Sequence, residues 1–132
     1  PDLYRSVVID VGVLDMLRAE NFTVGSTNTN LKEYGTVKES TQFQNLYSYS
    51  PYHNVDNTIN YPSILLITGD HDNRVPPLHS YKFAAKLQNN PSQINPILLW
   101  TQEKTGHYGA DNNNSYIEEK SFIYGFLFYE LE

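Results

Sequence analysis

The chain has 132 residues, 39% hydrophobic and 14% aromatic, so it has room for one core and too many large rings for a disordered segment. A net charge of −6 and a pI near 5.1 repel phosphate backbones, so neither nucleic acid nor an anionic membrane is an expected partner. The absence of cysteine excludes disulfides and thiolate metal sites and is compatible with a reducing, cytoplasmic location.

The opening Pro1-Asp2 turn runs at once into apolar sequence, which reads as an excised piece of a longer protein. Ser6–Val13, apolar on both faces apart from Asp10, predicts a buried strand of a parallel sheet. Residues 20–37, polar and holding Gly25 and Gly35, predict a long loop. Lys38–Tyr47 predicts a short helix that stops before Ser50-Pro51, and residues 54–62 predict another loop. Ser63–Thr68 predicts a second buried strand, followed by the loop GDHDNRVPP and a helix over Leu78–Leu87. Residues 89–96 predict a turn region, Ile97–Trp100 a third strand, and TQEKTGHYGADNNN a further loop. Ser115–Leu131 predicts a closing helix capped by Asn114 or Ser115, with Ile117, Phe122, Ile123, Phe126 and Leu127 on one side.

Strand, loop, helix, strand, loop, helix in that order predicts an α/β fold with parallel strands and flanking helices. Ligands in such folds bind beyond the carboxyl ends of the strands, which selects the loops after the second and third strands. The first holds Asp70, His71, Asp72, Arg74 and Val75; the second holds Gly106, His107, Tyr108 and Gly109. This places an acid and an imidazole on one edge of one sheet, the arrangement in which a carboxylate orients a histidine acting as general base. Asp-rich loops also serve as turns and caps, so the residues alone leave that simpler reading open. His53 and His79 read as packing or cap residues. His71 and His79 with Asp70 and Asp72 fit no common zinc spacing, so no metal or other cofactor is expected.

GDHDNRVPPLHSYKFAAKLQ resembles the acid loop and following helix of the prolyl oligopeptidase family of serine peptidases. DVGVLDMLR, FTVG, EYG and YSPYHNV are similar to that family's segments between nucleophile and acid, and KTGHYGA to the loop of its catalytic histidine. The resemblance runs in order along nearly the whole chain. It implies the C-terminal half of an α/β-hydrolase fold, with Asp72 as triad acid, His107 as base and Asp70 structural. It further implies that Arg74 grips a substrate carbonyl and that Val75 walls the pocket for the residue before the scissile bond. A surface ion pair for Arg74 and ordinary core packing for Val75 are the alternatives.

Two departures from the family pattern stand out. The family's proline-stacking tryptophan has no counterpart in Gly25-Ser26-Thr27-Asn28-Thr29-Asn30, and the single Trp100 falls on the third strand. No G-x-S-x-G nucleophile elbow occurs in the chain. The resemblance therefore implies a serine, an oxyanion hole and a propeller domain upstream, with short peptides as substrates and no activity for these residues alone. Specificity for basic residues, as in oligopeptidase B, and a non-catalytic truncated hydrolase module are the competing readings.

Overall fold

The computed structural model describes residues 2–22, 28–109 and 112–132. Three strands, β1 (Ser6–Asp10), β2 (Ser63–Gly69) and β3 (Ile97–Gln102), form one parallel sheet in the order β1-β2-β3. The helices are α1 (Met16–Ala19), α2 (Asn28–Tyr34), α3 (Ser40–Tyr49), α4 (Leu78–Gln88) and α5 (Asn113–Leu131). Every residue of central β2 is buried, because helices cover both faces of the sheet. Side chains alternate across a strand, so Ile64 and Leu66 pack with Phe83, Ala84 and Leu87 of α4. Leu65 and Ile67 face the other way, onto Phe126 of α5 with Trp100 and Ile123. The parallel sheet between two helical layers matches the expected piece of an α/β-hydrolase domain. Among the described residues, no helix is long and apolar enough to cross a membrane.

Several boundaries differ from expectation for local reasons. The first strand ends at Asp10 instead of Val13, because Val11 adopts φ 43° and turns the chain away after one last bond to Ile67. A β-branched residue in that left-handed region is strained. The span expected as loop over 20–37 contains α2, which ends where Gly35, at φ 95°, closes a bond to Leu31 O. Residues 23–27 lie outside the described residues, and with them half of the stretch that lacks the tryptophan. Helix α3 is shifted two residues along but stops at Ser50 before Pro51 as anticipated. Helix α5 is capped by Asn112, whose extended backbone lets its side chain accept from Ser115 N, rather than by Asn114 or Ser115. Of the five residues expected on its buried side, Ile117 is 60% exposed and Phe122 46% exposed.

Leu66 is fully buried against α4. Leu66→Ala is expected to cost about 2–5 kcal/mol through lost transfer energy and a residual cavity, measured by urea unfolding of the polypeptide that carries this segment.

Candidate active site

The site lies beyond the carboxyl ends of β2 and β3, where two loops are laced together through their backbones. Asp70 N donates to Gln102 O at 3.1 Å, and His71 N donates to Thr105 O at 3.0 Å. In return, Thr105 N donates to the Asp70 carboxylate at 3.1 Å. Between these bonds the histidine loop presses directly on Gly69. A β-carbon there would lie 2.2 Å from Thr105 O and 2.8 Å from Gly106 O, so only glycine fits.

With the loops fixed, Asp72 and His107 meet. His107 Nδ1 donates to Asp72 Oδ2 at 2.9 Å. The other oxygen, Oδ1, accepts from Arg74 N and from Val75 N, both at 2.8 Å. The Asp72 side chain is wholly buried, whereas His107 stays 20% exposed. A proton held on Nδ1 by the carboxylate leaves Nε2 as the nitrogen free to accept another. The loop around it is shaped by a Gly106–Gly109 bridge, and Gly109 turns at φ 73° above the buried Glu119 carboxylate.

Asp70 is separate from this pair. Its carboxylate accepts from exposed His71 at 2.6 Å and from the Thr105 amide. The bond from His71 comes first, with the backbone donors of 104 and 105, in holding it well below the usual carboxylate range, at about 2. It braces the loop and does not face His107, as expected for a structural acid.

Arg74 is exposed and donates to Tyr108 Oη at 3.3 Å, which brings its guanidinium over the residue next to His107. It has no carboxylate partner among the ion pairs of the described residues. Val75 is half-buried and lines a cavity of about 320 Å³ with Arg74, Val13, Met16, Phe22 and Tyr34. Arg74 thus forms no surface ion pair among the described residues, and Val75 borders an open cavity. Trp100 sits on the α5 side of the sheet, 4.6 Å from the Phe122 ring, and does not line the cavity. Sequence reasoning missed the part played by Gly69, although that glycine opens the GDHDNRVPP loop. It also missed Tyr34, which stands inside the EYG motif and reaches the cavity from α2.

Known proteins resemble this chain in sequence and in fold. The family model described as "Prolyl oligopeptidase family" matches residues 1–132. A prolyl endopeptidase of Elizabethkingia meningoseptica is 42% identical over 132 residues, covering 99% of this chain and 18% of that protein. A structure solved in a study of two prolyl endopeptidases superposes with a TM-score of 0.93 at 43% identity, over 99% of this chain and 19% of the neighbour. Oligopeptidase B of Leishmania major superposes with a TM-score of 0.88 at 27% identity, over 99% of this chain and 18% of its own. The chain therefore spans less than a fifth of the length of these relatives.

Two outcomes follow from the lacing of the loops. Gly69→Ala is expected to displace the histidine loop, destabilise by about 1–3 kcal/mol and abolish the Nδ1–H resonance of a carboxylate-bound imidazole in proton NMR. The Asp70 brace has a depressed folded pKa, so its contribution is complete above the ordinary carboxylate value and is lost only as pH falls toward about 2. The Thr105 amide shift, followed on acidification, should move in that window and not near neutrality.

Proposed function

The chain belongs to the prolyl oligopeptidase family, and from that premise we propose that it carries the acid, the base and part of the substrate grip of a serine peptidase. The observation that carries this reading is the 2.9 Å contact between a buried Asp72 and a partly exposed His107 at adjacent strand ends. In the proposed reaction a serine hydroxyl attacks the scissile carbonyl, and His107 Nε2 takes its proton. The same nitrogen returns the proton to the leaving amine, which leaves an acyl-enzyme for water to hydrolyse. Asp72 keeps the imidazole in the required tautomer and stabilises the imidazolium. It remains ionised throughout.

Arg74 supplies charge-assisted hydrogen bonds to a substrate carbonyl, and Val75 forms one wall of the pocket for the residue before the cleaved bond. The nucleophile, the oxyanion donors and a propeller domain belong to the upstream part of the parent polypeptide. The missing G-x-S-x-G elbow and the small share of the relatives' length support that division. Substrates are short peptides, and the chemistry draws on no metal or organic cofactor.

A second reading concerns specificity alone. Glu20 lines the same cavity and accepts from Val37 N at 3.2 Å through one oxygen, leaving the other as an acceptor for a basic substrate side chain. Turnover of proline-, alanine- and arginine-containing peptides by the full-length polypeptide separates the two. Proline preference supports the first reading and arginine preference the second.

In that full-length polypeptide, His107→Ala is expected to lower turnover by about three orders of magnitude or more. Asp72→Asn should be nearly as damaging, because it favours the wrong imidazole tautomer. Arg74→Ala should cost at most about 3 kcal/mol, the scale of one lost charged hydrogen bond, and chiefly through substrate positioning. The isolated 132 residues should show no turnover, because their sequence holds no G-x-S-x-G elbow to present a serine to His107. Hydrolysis by them that survives His107→Ala would overturn the proposal.

A further inference from the structure

Behind the cavity lies a buried polar knot that the proposed chemistry does not use. One cavity wall, Arg74 to Pro76, immediately precedes α4; the facing wall, Val13 and Met16, follows β1. Asp15 joins them at two points. Its backbone N donates to His79 Nδ1 at 3.1 Å, and its carboxylate binds Lys82 Nζ one helical turn further along α4. On the other side, Met16 N donates to Ser50 Oγ at 3.1 Å, and Ser50 in turn pairs with His53 Nδ1 at 2.9 Å. Asp15 is 1% exposed and His79 2% exposed, so the bond between them works without competition from water.

We propose that His79 is a positioning residue for substrate, fixing the separation of the two cavity walls through its bond from the Asp15 backbone. His79 itself lines the cavity, with the Phe22 ring edge-on at 5.7 Å. Because Nδ1 accepts a hydrogen bond, the ring is neutral and carries its proton on Nε2. Burial, partly opposed by the Asp15 carboxylate, holds this imidazole below its ordinary value and keeps it in that state. The knot is an expensive way to join two segments. Asp15 Oδ1 is buried with no hydrogen-bond partner among the described residues, and His53 Nδ1 stands 3.8 Å from it. Apolar packing would hold the walls together with less desolvation, but without a defined register between them.

This inference rests on the peptidase reading, and the test separates the two. In the full-length polypeptide, His79→Phe keeps the ring and its contact with Phe22 but removes the acceptor. It should raise KM for short peptides roughly tenfold while kcat changes by less than about threefold, the split expected when ground-state positioning is lost. His79→Asn, which can present an oxygen where Nδ1 stood, should recover most of that KM. Lys82→Met removes the carboxylate anchor at a site already 37% exposed and should raise KM by a smaller factor. It serves as the decisive variant if His79→Phe does not fold. An unchanged KM in the folded variants, or equal damage from Phe and Asn at position 79, would overturn the positioning role while leaving the peptidase reading intact. A wild-type polypeptide without peptide turnover would remove both.

Discussion

The geometry of this site depends on a contact with no room for a side chain. The backbone of the histidine loop lies against the α-carbon of Gly69, close enough that any β-carbon would overlap Thr105 O. Because the two loops touch through main chain, their relative position is set by peptide geometry rather than by side-chain packing. That is a stiff constraint, and the hydrogen bonds of Asp70 N, His71 N and Thr105 N close around it. The meeting of Asp72 with His107 is then a consequence of where the loops already are.

The same lacing explains why two aspartates so close in sequence have different environments. Asp70 leaves the strand end while still beside the histidine loop, so its carboxylate braces that loop at the surface. Two residues on, the chain has turned through a bond from Asp72 N to Gly69 O, and Asp72 points inward with its side chain fully covered. A buried carboxylate is costly unless its lone pairs are met, and Asp72 meets its own with two backbone amides and one imidazole. An acid fixed on both oxygens has little freedom to let the imidazole rotate.

Much of the scaffold was legible because burial writes itself plainly on a central parallel strand. SILLIT is apolar on both faces, and a strand covered by helices on both sides requires that. Topology brought both Asp70 and Asp72 to the same sheet edge as His107, so the pairing of Asp72 in particular was legible only through the resemblance of GDHDNRVPP to the family's acid loop. Other features left a weaker trace. Helix α5 carries many large rings on its outer side, with Tyr116, Tyr124, Phe128 and Tyr129 exposed, so periodicity found the face that Ile123, Phe126 and Leu127 pack inward but added Ile117 and Phe122, which stay exposed. Helix α2 hid within Asn-rich sequence that favours turns, and its one clear signal, Gly35 as a C-terminal cap, also reads as a loop glycine. The cavity was illegible because its walls come from α2, α3 and the segments after β1 and β2, which only the folded chain brings together.

The proposed substrate grip and the orientation of the acid share a single turn. The amides of Arg74 and Val75 hold Asp72 Oδ1, while the same two residues line the cavity. Pro76 and Pro77 follow directly, and their restricted φ angles stiffen the entry into α4. A displacement of this turn would therefore disturb the acid and the pocket wall together. The backbone carries one task and the side chains the other, so residue type at 74 and 75 can vary with substrate while the amides keep the carboxylate in place. Proline is the exception, because it has no amide hydrogen to give. Any other substitution at these two positions leaves both amide bonds to the acid available.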